Sequence, residues 1–366
     1  MKAIVVGAGI LGASTAFHLA KGGAQVTVFD RDDAGRATAA GAGIVCPWIS
    51  AHENPAWHAI AGGGARYYPD LVAELAAQGE TDVGYRRVGL LCVPDTPGQL
   101  DAVEARLAAR RNAAPEMGAV RRLTAEQAIA RFPALRPGPA TLIEGGARVN
   151  GRLMAAALLR AAQRHGAEVI HGAPDLATAN GAIAGVRHQG RMFEADVLAV
   201  TAGAWAPALL APLGIALNVV PQKGQIVHLR LPGVDTSTWP VLQPMNAFYL
   251  LTFDDSRVVI GATRETGSGF DHRVTAAGQA TVLNVGLAVA PGLADAELIE
   301  TRIGFRPMSP DELPLLGAAP VPGLFIGNGL GPTGLTMGPF AGRLLADAML
   351  GRAAEIPLAP YAPLRA

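Results

Sequence analysis

The chain opens on four consecutive apolar residues, Ala3 to Val6, followed by Gly7-Ala-Gly9-Ile10-Leu11-Gly12 and apolar positions at Phe17 and Leu19. That pattern predicts a buried strand, a glycine turn and a helix. After the Gly22-Gly23 break, "AQVTVFD" reads as a second, β-branched strand ending on Asp30. The three pieces form a strand–helix–strand unit with an acidic end.

The same alternation returns twice. "GRLMAAALLRAAQRHG" predicts a helix leading into the strand "AEVIHG", which carries Val169. An Asn180-Gly181 hairpin follows, then the apolar strand "FEADVLAVTAG", ending in Thr201-Ala202-Gly203-Ala204-Trp205. Near the other end, "GLFIGNGLGPTGLTMGPFAGRLLADAML" again reads as strand, glycine-rich turn and amphipathic helix. Between these lie "GLLCVP", "GQIVHLRL", "FYLLTF" and "RVVIGAT", short apolar strands separated by turn residues, as an antiparallel sheet needs. Asp101 to Asn112 is a charged helix with Val103 and Leu107 on one face, and Thr124-Ala-Glu126 begins another. Both read as surface helices without chemistry.

The glycines of the first unit have separate tasks. Gly7 permits a tight turn, Gly9 lets the backbone approach a pyrophosphate, and Gly12 lets the helix pack on the strand. Ile10 and Leu11 begin a helix whose N-terminal N–H groups and partial positive charge suit phosphates. Asp30 is placed to accept from a ribose 2′-OH, an exclusion of 2′-phosphates that Arg31 weakens slightly. A purely structural turn is the alternative to a dinucleotide site.

The turn alone does not choose between FAD and a nicotinamide. Three further segments favour FAD. "DDAGRATAAGAGIVCPW" brings Ala42, Gly43 and Ile44, with few bulky side chains, where a flat ring can pass. Ala202, Gly203 and Trp205 follow a strand at the C-terminal edge of the sheet. Gly331, Thr333, Gly334, Leu335 and Thr336 open the closing helix, whose N-terminus suits negative charge on a reduced flavin. An ordinary flexible loop is the plainer reading of the first segment.

Composition narrows the partners. At 366 residues, half of them hydrophobic, the chain has enough for two domains. Lys plus Arg balance Asp plus Glu at 30 each, with no basic run among aromatics, so no nucleic-acid partner is expected. Cys46 and Cys92 build neither a disulfide framework nor a metal spacing, so no metal is expected and a reducing, cytoplasmic setting is the simpler reading. Glycines and His18 break the N-terminal run, against a signal peptide. No stretch is long enough to span a bilayer, which leaves peripheral contact with the inner membrane face and self-association open.

The chain resembles the FAD-dependent D-amino-acid oxidase superfamily, which includes glycine oxidase, sarcosine oxidase and bacterial D-amino-acid dehydrogenases. The resemblance runs essentially the whole length. It rests on the N-terminal turn, "PQKGQIVHL", "FYLLTFDDSRVVIGAT", "GFRPMSPDELPLLG" and the closing glycine segment. "GLGPTGLTMG" looks more like the dehydrogenase branch, and Pro332 stands where glycine oxidase has an arginine.

The resemblance implies an α/β fold (α+β overall). A Rossmann-like FAD-binding domain (1–84, 148–217 and 303–366) would be interleaved with an antiparallel-sheet substrate domain (85–147 and 218–302). It implies non-covalent FAD, because the family's covalently linked members use a C-terminal cysteine absent here; a link through Cys46 is the alternative. Arg306 matches the arginine that holds the substrate carboxylate, beside the flavin, and Tyr249 matches a tyrosine that meets the substrate. From the residues alone, a salt bridge from Arg306 to Asp311 or Glu312 is an equal alternative. Ala247 and Phe248 replace a histidine and a cysteine of glycine oxidase, which argues for a more apolar pocket than glycine needs. His52 and His58 could line a pocket, with surface positions the preferred reading.

The expected activity is oxidative deamination of a D-amino acid or of a cyclic or N-methyl amino acid, giving an imine that hydrolyses to a keto acid. The electron acceptor would be a quinone, an electron-transfer partner or O₂. An O₂-using amine oxidase, a flavin-binding sensor without turnover and a nicotinamide dehydrogenase are the competing readings.

Overall fold

The computed structural model describes residues 1–365. The chain begins with β1 (Lys2–Val6), α1 (Ile10–Lys21), β2 (Gln25–Asp30) and the long helix α2 (Pro55–Ala77). There follow β3 (Leu90–Val93), α3 (Gln99–Arg110), β4 (Val120–Leu123), β5 (Ala140–Ile143), α4 (Gly151–Arg164), β6 (Glu168–His171) and β7 (Val197–Val200). Next come β8 (Val220–Arg230), β9 (Val241–Pro244), β10 (Tyr249–Thr252), β11 (Arg257–Gly261), β12 (Glu265–Thr266) and α5 (Ala276–Val289). The last elements are β13 (Glu297–Met308), β14 (Leu315–Ala318), β15 (Leu324–Asn328) and α6 (Gly334–Met349).

Among the described residues, six strands form a sheet in the order β14-β15-β7-β1-β2-β6, parallel except for β14. Val6 pairs with Phe29 on one side and Val200 on the other, so β1, β2 and β7 end level and release their following loops at one edge. Ligands of doubly wound sheets bind at such an edge. Ile4, Val5, Val28, Leu198 and Ile326 are buried, as a sheet covered on both faces requires.

The second sheet runs β12-β8-β11-β10-β9-β3-β5-β4, with β13 antiparallel to β8 along its length. The boundary expected at residue 303 falls inside β13, which continues to Met308 before the chain crosses to the first sheet. The Asn180-Gly181 hairpin forms with both residues at positive φ, 51° and 77°.

Helix α2 is not legible from its pattern, because Gly62-Gly63-Gly64 interrupts it and glycines cost about 1 kcal/mol each in a helix interior. Packing explains two of them: a Cβ on Gly63 would lie 2.5 Å from the Phe340 ring, and one on Gly64 would lie 2.3 Å from the Thr336 carbonyl oxygen. The glycines let α2 rest directly on α6. Asn54 caps α2 by accepting from Ala56 N at 2.9 Å.

Candidate active site

A cavity of about 1300 Å³ opens where the loops after β1, β2 and β7 meet the second sheet. It exceeds the about 300–1,000 Å³ typical of a site for one drug-sized ligand.

At one end it is lined by Gly7, Gly9, Ile10 and Leu11. Gly7 takes φ 106°, a conformation that glycine alone adopts freely. Gly12 stays out of the wall: its added Cβ would lie 1.8 Å from the Gly7 carbonyl oxygen, so its absence lets α1 close on the turn. Thr38 Oγ1 accepts from Ile10 N at 2.9 Å. Helix α1 has no side-chain cap at Gly9 and no acid in its first turn, which leaves its positive end to the cavity.

Asp30 and Arg31 also line this end. Asp30 accepts from Ala8 N, from Asp32 N at 2.6 Å and from Arg36 Nη1 at 3.2 Å, so it braces the turn besides facing the cavity. Arg31 pairs with Asp33 at 2.7 Å. Val169 is not in the wall. It is 37% exposed within β6, and the chain meets the cavity only after that strand ends, at Gly172 to Asp175.

Ala42, Gly43 and Ile44 line the middle, as do Ala202, Gly203 and Trp205. A Cβ on Gly43 would fall 1.8 Å from the Val149 carbonyl oxygen, so that position is closed to any side chain. Gly331, Thr333, Gly334, Leu335 and Thr336 bring in the start of α6, again without a side-chain cap or an acid in the first turn. Thr336 donates to the Ile44 carbonyl at 2.8 Å, fixing one lining segment to the other.

Two uncapped helix ends therefore face one elongated cavity, which fits a dinucleotide with a pyrophosphate at α1 and an electron-rich ring system near α6. Cys46 also lines it, and burial pushes its thiol well up, so it is a neutral thiol and a poor nucleophile.

Arg306 and Tyr249 meet at the other end. Arg306 lies opposite Gln222 on β8, and Tyr249 opposite Gly261 on β11. Each aromatic or cationic group lies over a glycine: a Cβ on Gly224 would stand 2.7 Å from Arg306 Nη1, and one on Gly261 2.4 Å from the Tyr249 hydroxyl. Arg306 Nη1 donates to the Thr263 carbonyl at 3.1 Å and to Gln222 Oε1 at 3.4 Å. Burial lowers the guanidinium's pKa, with the phenol of Tyr249 opposing and Arg264 adding to that effect. Burial also raises the Tyr249 pKa, so the phenol keeps its proton.

The salt bridges considered for Arg306 do not form. Asp311 pairs with Arg365 at 2.6 Å, and Glu312 lies 2.7 Å from His52 Nε2. Among the described residues Arg306 has no carboxylate partner.

Several lining residues carry a weak sequence signal or none. His52, for which the surface was preferred over a pocket wall, lines the cavity, stacked on Trp57 with ring centroids 4.7 Å apart. Helix α3, expected to be inert, supplies Arg106 to the wall, where it donates to the Ile49 carbonyl at 2.9 Å. Its neighbour Arg110 holds the Ser50 carbonyl at 2.7 Å. Arg264, one residue beyond the "GAT" of β11, lines the same wall as Arg306. These positions are far apart in sequence and meet only in the fold.

The family model described as FAD dependent oxidoreductase (DAO) matches residues 2–348. An uncharacterized oxidoreductase of Bacillus subtilis, YurR, is 52% identical over 363 residues, covering 98% of each chain. Glycine oxidase of Pseudomonas aeruginosa is 32% identical over 369 residues, covering 99% of this chain and 98% of its own. Among solved structures, iminodiacetate oxidase from Chelativorans sp. BNC1 matches with a TM-score of 0.96 at 54% identity, over 99% of this chain and 98% of that one.

Proposed function

The chain belongs to the FAD-dependent oxidoreductases of the DAO family, and from that premise we propose that it oxidises the C–N bond of a small amino acid whose carboxylate is held by Arg306. One observation carries the reading: a partly buried guanidinium opens onto the cavity with only neutral acceptors around it. Such a group is costly without an anion, and a carboxylate offers it two parallel hydrogen bonds.

The Gly7 to Leu11 turn, Ala42 to Ile44, Ala202 to Trp205 and the start of α6 would hold FAD. Bound FAD supplies the two-electron acceptor for oxidation of C–N to C=N. Arg306 orients the substrate carboxylate, and the neutral Tyr249 phenol donates to it. The positive charge of Arg306 disfavours an ammonium nearby, so the bound amine sheds its proton more readily. With FAD bound there as the two-electron acceptor, the α-carbon would give up a proton and two electrons as hydride, the nitrogen lone pair would form C=N, and water would hydrolyse the resulting iminium to a keto acid and an amine.

The 54% and 32% identical relatives are named for iminodiacetate and glycine. Those names favour a glycine-type or N-substituted glycine substrate over a D-amino acid with a branched side chain, and O₂ over a quinone as acceptor. Ala247 lining the wall agrees with an N-substituent larger than hydrogen.

The test is an anaerobic panel of glycine, N-methylglycine, iminodiacetate, D-alanine and D-proline, scored by bleaching of the flavin and repeated in air with a peroxide assay. Bleaching by N-substituted glycines, with peroxide matching substrate loss, is expected. Bleaching by none of them, or equal bleaching in Arg306→Ala, overturns the reading.

A further inference from the structure

Proline has no N–H, and Pro339 lies inside α6, so the Leu335 carbonyl four residues earlier has no donor within the helix. Leu335 belongs to the first turn of α6 and lines the cavity beside Gly334 and Thr336. A carbonyl left unpaired in such a place is costly. Tyr68 of α2 supplies the missing bond: its hydroxyl donates to the Leu335 oxygen.

Tyr68 is built as a fixed donor. Its side chain is fully buried, and its ring stacks on Tyr85 with centroids 5.0 Å apart and planes 5° from parallel. Burial raises the pKa of the phenol, so the hydroxyl keeps the proton that it donates. Gly64, one helical turn earlier, brings α2 close enough, since a Cβ there would lie 2.3 Å from the Thr336 carbonyl oxygen. Ser14 Oγ donates to the Pro339 carbonyl at 2.6 Å, which ties the same part of α6 to α1.

The Leu335 carbonyl and the Thr336 N–H belong to one peptide unit. Helical N–H groups point toward the N-terminus, and those of the first turn have no partner within the helix. At the start of α6 that direction leads to the cavity. A hydrogen bond accepted at the carbonyl end polarises the peptide and strengthens its N–H as a donor.

We propose that Tyr68 is a positioning residue for the flavin: by giving Leu335 the bond that Pro339 withholds, it fixes and polarises the Leu335–Thr336 peptide, which then favours negative charge on the reduced ring. This rests on the reading given above that the start of α6 holds FAD. Tyr68 itself does not line the cavity and acts through α6 alone.

The test uses the FAD-loaded enzyme and reads the midpoint potential of the bound flavin, with thermal unfolding alongside. Tyr68→Phe removes the hydroxyl and keeps the ring. Its flavin should be about three- to tenfold harder to reduce, the scale of one hydrogen bond, which for a two-electron couple is about 15–30 mV more negative. Pro339→Ala returns to Leu335 a donor from the helix itself. In the double variant the potential should therefore recover to within about 1.5-fold, or about 5 mV, of wild type. A packing defect at Tyr68 would not be repaired in that way.

A Tyr68→Phe potential within about 1.5-fold of wild type overturns the inference even where Tm falls, and so does a double variant that stays as low as the single one. If Tyr68→Phe alone does not fold or hold FAD, recovery of FAD and of the wild-type potential in the double variant is the expected result, and failure to recover overturns the inference. Thr333→Asp tests the placement of the ring, since a negative charge at the same helix end should lower the potential at least as much. If Thr333→Asp lowers it and Tyr68→Phe does not, only the inference fails. If Thr333→Asp leaves it unchanged, the placement of the flavin at α6 fails and the inference with it.

Discussion

Gly224 lies directly under Arg306, and a Cβ there would come within 2.7 Å of Nη1. The guanidinium keeps its place over β8 only because this position has no side chain. In Gly224→Ala the fork must move. We expect carboxylate inhibitors to bind about tenfold more weakly, an order set by one charge-assisted hydrogen bond, with FAD still bound at one per chain. Wild-type acetate affinity in this variant would refute that placement of Arg306.

The Tyr249 hydroxyl is the second donor at this end. Tyr249→Phe should raise the dissociation constant for acetate about five- to tenfold, as expected for one hydrogen bond. Because burial raises its pKa, the wild-type phenol stays protonated in neutral and mildly alkaline solution. Acetate affinity should therefore show no break attributable to Tyr249 between pH 8 and about 10.

Gly12→Ala places a methyl group 1.8 Å from the Gly7 carbonyl oxygen and 2.4 Å from Thr201 Oγ1. Neither can retreat cheaply, since Thr201 Oγ1 donates to that same Gly7 carbonyl at 2.7 Å. The variant should lose about 1–3 kcal/mol of stability from overpacking. It should also purify with well under one FAD per chain, checked by absorbance and thermal unfolding.

Stability should fall in mild acid. His18 is lowered to about 4 and His228 to about 3, both chiefly by burial, while an unfolded histidine titrates near 6.5. Between those values the unfolded chain binds more protons, so stability is full above pH 6.5 and drains as pH falls through the window. His18 is held neutral by geometry: Nδ1 donates to the Ser14 carbonyl and Nε2 accepts from the Tyr67 hydroxyl, each at 2.7 Å. Neither ring nitrogen of His228 has a partner. His228→Leu should therefore be at least as stable as wild type at pH 5, with a shallower fall in Tm from pH 6.5 to 4. An unchanged slope would sink this account.

The N-terminal unit was legible because each residue does one local job. Gly7, Gly9 and Gly12 sit in an apolar strand–helix frame, and the structure gives Gly7 its positive φ and Gly12 its close packing. Arg306 was visible as an oddity, and its lack of an acidic partner required the fold, because Asp311 and Glu312 are beside it in sequence yet turn to Arg365 and His52. Arg264 and Arg106 gave no warning and His52 only a faint one: each is an ordinary polar residue whose place in the cavity depends on strands or helices brought together from elsewhere. Val169 errs in the other direction, since β6 has the expected apolar pattern yet ends before the chain reaches the wall. Helix α2 was obscured by glycines selected for its contact with α6 rather than for helix formation.

The long strand β13 is stitched to both halves of the molecule. It pairs with β8 along its length, and near its end Phe305 bridges Arg36 while Met308 bridges Leu330. A strand bonded on both sides is a poor hinge, because swinging one half away would break its bridges before the cavity widened. The cavity is thus held at a set width, and a ligand has to fit the space between the two sheets as it stands.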